Sequence, residues 1–89
     1  MTVWKFPLRI DDEQFIEVPK VNRPLCVQVQ AGSPCLCMEV DETAPKIKVR
    51  VRTVGTGHPI NFDERLYVGT YQVSGGALIF HVYLAGWQE

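Results

Sequence analysis

Hydrophobic and polar residues alternate along most of this 89-residue chain. A period of two is typical of β-strands that bury one face, because successive side chains point to opposite sides of a strand. Proline or glycine interrupts every stretch that would be long enough for a regular helix. The alternation predicts strands over residues 3–10, 15–18, 25–30, 35–41, 46–52, 66–73 and 77–84.

Turn-forming residues separate these predicted strands at short and fairly regular intervals. Short strands spaced in this way are typical of an antiparallel sandwich or a small barrel. A chain of this length leaves no room for a second domain. We therefore predict one all-β domain over residues 1–89, a small antiparallel β-sandwich or barrel of six to seven short strands.

Particular residues refine this prediction. Pro7 cannot donate a hydrogen bond to a neighbouring strand, so we expect the first strand to lie at a sheet edge. Residues 77–84 are nearly all apolar, which predicts a central strand buried on both faces. The remaining segments are predicted turns, loops or tail, over residues 11–13, 21–24, 31–34, 41–45, 74–76 and 86–89.

Composition narrows the function classes. The apolar fraction of 46% is that of a folded domain, and a formal net charge of −1 argues against a protein that binds polyanions with its whole surface. The first ten residues lack the apolar core of a secretory leader, and no run approaches the roughly 18 apolar residues of a membrane span. We therefore expect a cytoplasmic protein that does not bind membranes.

The segment Gly55–Ile60, with the sequence GTGHPI, is the most unusual loop of the chain. Its glycines would let a backbone approach a ligand closely, while Thr56 and His58 would add polar groups. It is neither a Walker loop nor a dinucleotide fingerprint. Ordinary turn chemistry accounts for its glycines and its proline and is the favoured interpretation. The alternative is a site for a small anion, for which the candidate residues are Gly55, Thr56, Gly57, His58, Tyr67 and Tyr71.

A basic stripe precedes this loop and consists of Lys46, Lys48, Arg50 and Arg52 on one predicted strand face. Alternate residues of a strand lie about 6.6 Å apart, close to the spacing of phosphates along a nucleic-acid strand. We expect Glu39 and Asp41 of the preceding strand to neutralise part of this charge. A solvated outer face that is neutralised in this way is the favoured interpretation, and the alternative is a contact with nucleic acid or with an acidic protein surface. No aromatic residue interleaves with the stripe, which argues further against nucleic acid.

Metal and catalytic sites are weakly indicated. Cys35 and Cys37 with Cys26 lack the second close pair of a structural zinc site, so we expect free thiols, no metal and no cofactor. His81 lies in the most apolar predicted strand, where a hydrogen-bonded histidine in or near the core is expected. A small enzyme with His58 as general base beside Asp63 and Glu64 is the least favoured alternative, because no residue marks an orienting partner.

Several segments resemble a family of small, uncharacterised bacteriophage proteins that contain a domain of unknown function. The most distinctive are the GTGHPI loop and a C-terminal strand with the pattern GGxLxFHV. The similarity also includes residues 4–8, 15–19, 27–36, 40–41, 44–45 and 68–72, and so covers nearly the whole chain. It implies no established activity and no catalytic residue. It does imply that the chain is one of the phage accessory proteins, which often bind a host or defence component stoichiometrically.

The leading hypothesis is a non-enzymatic phage protein in the host cytoplasm that inhibits a defence factor, as an anti-CRISPR protein does, through the basic stripe and the adjoining loop. The alternative is a sponge for a small anionic ligand such as a signalling nucleotide. That hypothesis predicts a homo-oligomer, because a subunit interface would help to enclose the ligand. A virion or assembly component is a further, less favoured option.

Overall fold

The computed structural model describes residues 1–63 and 65–88. These residues form seven strands and one short 3-10 turn, Ser74–Gly76. The strands are β1 (Thr2–Pro7), β2 (Glu13–Pro19), β3 (Asn22–Gln30), β4 (Ser33–Val40), β5 (Lys46–Gly55), β6 (Leu66–Val73) and β7 (Leu78–Gln88). The strand order is β1-β4-β3 in one sheet and β2-β5-β7-β6 in the other, with every pair antiparallel. The predicted all-β sandwich is confirmed.

The core lies between the two sheets and follows directly from the alternation. The buried inward-facing residues include Leu36, Met38 and Val40 of β4, Val51 of β5 and Val82 of β7, all of which are fully buried. Because these apolar residues recur at every second position, each strand turns one face inward and leaves the other to solvent or to loops. The four-stranded sheet therefore has an outer face on which polar groups can gather.

The buried side chain of Gln14 stabilises the connection through which the chain passes from the first sheet to the second. The Gln14 amide accepts a hydrogen bond from Arg9 N at 3.0 Å and donates one to Arg9 O at 2.7 Å. Both peptide groups of Arg9 are thereby satisfied outside a ladder, which lets the chain leave the sheet. β1 therefore ends at Pro7 rather than continuing to residue 10 as predicted, and it does lie at a sheet edge.

The predicted loop 21–24 is wrong, because β3 begins at Asn22 and includes Pro24. A proline is tolerated here since β3 is an edge strand and its register against β4 shifts between Pro24 and Cys26. The following turn is also shorter than predicted. Ala31 and Gly32 both have positive φ, as two-residue hairpin loops require, so β4 begins directly after them.

The last strand is central but is not buried on both faces as predicted. It lies between β5 and β6, yet of its residues only Val82 and Ala85 are buried; Val82 faces the core, and Ala85 packs against Phe62 of the loop after β5. It also includes most of the predicted tail. Gly86 has a φ of 111° and lies where the register against β5 shifts, so a bulge lets the strand continue to Gln88.

Two edge strands of different sheets meet at Gly69. A Cβ atom at this position would lie 3.2 Å from the backbone nitrogen of Val27, which is tighter than an ordinary packing contact. The absence of a side chain therefore allows β6 to approach the backbone of β3 closely. This contact closes one side of the sandwich.

Candidate functional site

The basic stripe lies on the outer face of the four-stranded sheet, but its acidic neighbours are not the predicted ones. Glu39 and Asp41 belong to or follow β4, which is in the other sheet. The strand beside β5 is β2, which places Glu17 opposite Lys48 and Glu13 opposite Arg52. The consecutive strands β4 and β5 separate because the chain crosses between sheets in the connection 41–45.

Glu13 binds both arginines of the stripe. Its Oε2 accepts hydrogen bonds from Arg50 Nη2 at 2.6 Å and Arg50 Nε at 3.0 Å, and Arg52 Nη1 lies 3.4 Å away. These groups are partly exposed, so solvent weakens the ion pairs. Lys46 and Lys48 remain exposed on the same face. The stripe thus keeps a positive character at its exposed end, where Lys46 pairs with Pro19 rather than with an acid.

Arg52 serves the fold rather than the open surface. Its Nε donates to the carbonyl oxygen of Asp12 at 3.0 Å, and its guanidinium carbon lies 4.8 Å from the centre of the Phe62 ring. Phe62 is buried and forms a small second core with Val54 and Ala85 on the outer face. The loop after β5 therefore folds back over the middle of this face, which sequence periodicity did not predict.

Two exposed aromatic residues line one cleft together with Arg50. Phe15 is 45% exposed and lies opposite Arg50 on β2, and Trp87 is 67% exposed and follows the Gly86 bulge. All three line a shallow cleft of about 360 Å³ together with Glu13 and neighbouring β7 residues. We call Phe15, Arg50 and Trp87 the aromatic–arginine patch. Sequence periodicity did not predict that these three residues share a cleft, because the two aromatic residues come from neighbouring strands and do not interleave with the stripe along the chain.

A chain of hydrogen bonds crosses the other half of this outer face. The Tyr67 hydroxyl lies 2.6 Å from Thr70 Oγ1, which lies 2.9 Å from His81 Nδ1. His81 Nε2 in turn lies 2.8 Å from Thr56 Oγ1. His81 is thus hydrogen-bonded as expected, but it is half-buried on the outer face rather than within the core. We call these four residues the hydroxyl–imidazole chain.

The predicted anion-site residues are brought together only in part. Thr56 and Tyr67 share the hydroxyl–imidazole chain, whereas Gly57 and His58 lie in the exposed turn after β5. The backbone N–H of His58 closes this turn by donating to Gly55 O at 3.0 Å. Tyr71 faces the core and is only 4% exposed, so it is not available to stack on a ligand. Burial also raises the pKa of its phenol above the ordinary value.

A larger cavity, of about 570 Å³, opens between the sheets at one end of the sandwich. Its walls are mainly apolar and include Ile47, Val49, Leu66, Leu84 and Trp87, while Arg65 stands among the polar lining residues. The residues of the GTGHPI loop do not contribute to it. Its volume falls within the range of small-molecule sites.

Within residues 1–63 and 65–88, no group of three or more histidine, cysteine, aspartate or glutamate side chains could hold a metal ion. No helix in the same ranges has the length and apolar character needed to cross a membrane. The predicted acidic pair beside the loop is incomplete here, since Glu64 lies outside the described residues.

Comparison with protein-family models places the chain in a family. A model for a domain of unknown function, DUF7352, matches residues 1–88. The chain belongs to the DUF7352 family. No curated protein and no solved structure matches this DUF7352 chain. The family's description names no activity, so the function of the DUF7352 chain must be argued from its own surfaces.

Proposed function

We propose that this protein is a phage accessory protein that binds a host protein stoichiometrically and inhibits a defence factor in the host cytoplasm. The observation that carries the proposal is the aromatic–arginine patch beside the exposed lysines of β5. The proposal includes no catalytic turnover and no cofactor. The contact surface would have the aromatic–arginine patch at its centre and the exposed lysines Lys46 and Lys48 at its border.

The patch has the composition of an interface centre. Tryptophan and arginine are the residues most often found to dominate binding energy, because they bury a large area and still offer a polar group. Here Trp87 and Phe15 expose 67% and 45% of their surfaces, although each could bury a large apolar area against a partner. Arg50 lines the same cleft and is already oriented by Glu13.

The charges around the patch favour an acidic partner surface. Four cations of β5 face two glutamates of the paired strand β2, Glu13 and Glu17. Lys46 and Lys48 are exposed at the border, where charges mainly steer association and fix orientation. Nucleic acid is less favoured, because the loop containing Phe62 covers the middle of the face and would interrupt a strand lying along the stripe.

The test is affinity capture from lysate of an infected host, followed by identification of proteins and small molecules by mass spectrometry. The double variant Phe15→Ala/Trp87→Ala should weaken capture of the partner by about thirtyfold or more, since hot-spot truncations cost at least about 2 kcal/mol. The matched control is Val3→Ala/Val29→Ala, which removes apolar side chains that are 60% and 40% exposed on the three-stranded sheet.

A second pair of variants tests the charge. Lys46→Glu should slow association with the partner, whereas Arg23→Glu, an exposed cation of the other sheet, should not. Equal capture by the patch variants and their controls would contradict the proposal. So would a patch that binds only a second copy of this chain, which sedimentation of the purified protein would reveal.

The cavity between the sheets supports a second candidate function, the binding of a small anion such as a signalling nucleotide. Apolar walls could hold a base, and the Arg65 guanidinium could face phosphate. This site differs from the GTGHPI loop considered from the sequence. A thermal-shift panel of nucleotides tests it: stabilisation that is lost in Arg65→Gln supports the function, and no stabilisation by any nucleotide contradicts it.

A further inference from the structure

The three cysteines gather on the outer face of the three-stranded sheet, away from the surfaces considered above. Cys35 and Cys37 both point outward from the middle strand β4, because they alternate with the buried core residues Leu36 and Met38. Cys26 of β3 lies directly opposite Cys37 in the strand register. All three are free thiols.

A bulge creates this pairing. Pro24 pairs with Met38 and Cys26 pairs with Cys37, so Leu25 is an extra residue without a partner of its own in β4. Regular pairing beyond Pro24 would place Leu25 opposite Cys37 and would turn Cys26 toward Leu36 and the core. The extra residue therefore moves Cys26 to the outer face, beside a second thiol.

Direct cross-strand neighbours have the spacing that a disulfide needs. Their Cα atoms lie about 4.5 to 5.5 Å apart, within the roughly 4.4 to 6.8 Å found across disulfides. Cys35 has no cysteine directly opposite it on a neighbouring strand. It shares a strand with Cys37 at a distance of about 6.6 Å along the strand, it lies opposite Gln28, and its buried thiol is directed to Ser33 O at 3.8 Å.

We propose that Cys26 and Cys37 form a dithiol that is oxidised reversibly to a cross-strand disulfide by a peroxide or by a low-molecular-weight disulfide. With a peroxide, the Cys26 thiolate attacks one oxygen to give a sulfenic acid and release water or alcohol. The Cys37 sulfur then attacks the Cys26 sulfur, and the sulfenic hydroxyl leaves as water. The two cysteines lose two electrons and two protons, and the O–O bond is reduced.

The surroundings of the pair favour Cys26 as the attacking thiol and Cys37 as the resolving thiol. Burial raises the pKa of Cys37, and contact with the Cys26 thiol raises it further, while Lys5 opposite it on β1 acts in the other direction. Cys37 therefore stays largely protonated near neutral pH and is suited to the second, resolving step. With a small disulfide as oxidant, Cys26 forms the mixed disulfide, Cys37 displaces the small thiol, and two small thiols are released.

The wild-type protein itself provides the first test. The reduced, folded chain is treated with hydrogen peroxide or with oxidised glutathione, and the remaining thiols are alkylated before reduction and a second, isotopically distinct alkylation. The number of free thiols should fall from three to one, without dimer formation, and the first label should be found on Cys35. Labels that place Cys35 in the disulfide, disulfide-linked dimers or retention of all three thiols would overturn the proposal.

Single variants and a second reagent test which two of the three cysteines form the dithiol. Cys35→Ala should still lose both of its thiols, whereas Cys26→Ala and Cys37→Ala should form no internal disulfide. Phenylarsine oxide, which bridges two neighbouring thiols without oxidising them, should bind wild type and Cys35→Ala but neither of the other variants. Arsenical binding that survives Cys26→Ala would assign the dithiol to Cys35 and Cys37 instead.

Discussion

Thr56 Oγ1 and His81 Nε2 lie 2.8 Å apart and join the loop after β5 to the middle of β7, across 25 residues of chain. The backbone of Thr56 contributes as well, since its N–H donates to Ile79 O at 3.2 Å. Turn chemistry requires glycines in the GTGHPI segment but gives no reason for a threonine. The bond to His81 supplies that reason, because it anchors the loop to the sheet.

Thr56→Val should lower the free energy of unfolding by about 1 kcal/mol, because the isosteric side chain leaves one ring nitrogen of a half-buried imidazole without its partner. Urea denaturation followed by tryptophan fluorescence measures the change. His58→Ala is the control in the same loop and should change stability little, since the His58 ring is exposed. A larger loss in His58→Ala than in Thr56→Val would show that the loop is anchored differently.

Tyr71→Phe should stabilise the protein by about 1 kcal/mol. The Tyr71 hydroxyl is buried without a hydrogen-bond partner in the described part of the chain, and such a group costs about 1 to 3 kcal/mol. Tyr67→Phe is the matched control and should bring no gain, because the exposed Tyr67 hydroxyl is bonded to Thr70 Oγ1 at 2.6 Å. Chemical denaturation of both variants measures the difference, and a destabilised Tyr71→Phe would disprove the unpaired state of the hydroxyl.

The same residue makes stability depend on alkaline pH. Burial raises the pKa of Tyr71 in the folded protein above its ordinary value of 10.0. As the pH rises through 10, the unfolded chain loses this proton first, so unfolding becomes more favourable and stability falls. Tyr71→Phe should reduce this alkaline loss, as thermal melts between neutral pH and about pH 11 would show. An identical alkaline loss in the variant would assign the effect to other groups.

Phe62→Ala should destabilise the protein by about 3 kcal/mol, because it removes a buried ring from the second core on the outer face. Arg52 would also lose the aromatic face that lies 4.8 Å from its guanidinium carbon. Ile60→Ala, in the same loop but exposed, should cost less than about 1 kcal/mol. Equal costs measured by denaturation would mean that Phe62 does not hold the loop.

The sequence predicts where strands begin and end better than it predicts which strands pair in a sheet. Strand β6 was predicted with its observed bounds, and the alternating face of β5 is confirmed, because both depend on local periodicity. The pairing of β5 with β2 depends on where the chain crosses between sheets, which the buried Gln14 amide helps to decide. Nothing local in the sequence distinguishes such a glutamine from one in an ordinary turn.

The candidate surfaces were harder to predict for a related reason. The irregularities at Leu25 and Gly86 each insert one residue into one strand of a pair; the first places Cys26 opposite Cys37, and the second places Trp87 opposite Val49, at the cleft that Arg50 also lines. Strict alternation ignores an inserted residue, so beyond the insertion it predicts the wrong strand face and the wrong cross-strand partner for each side chain. Thr56 and His81 were considered separately from the sequence, and their hydrogen bond joins a loop to a strand 25 residues away, which no local pattern predicts.

The close approach of β6 to β3 at Gly69 also sets the shape of the interior. The two strands approach closely at Gly69 and Val27, whereas Asn22 and Pro24 of β3, Leu66 of β6 and the preceding Arg65 line the 570 Å³ cavity. The two sheets are therefore close together at Gly69 and leave an open space where the cavity lies. A methyl group at Gly69 would act as a spacer between the two strands, so a residue outside the cavity wall limits how closely the strands beside the cavity can approach.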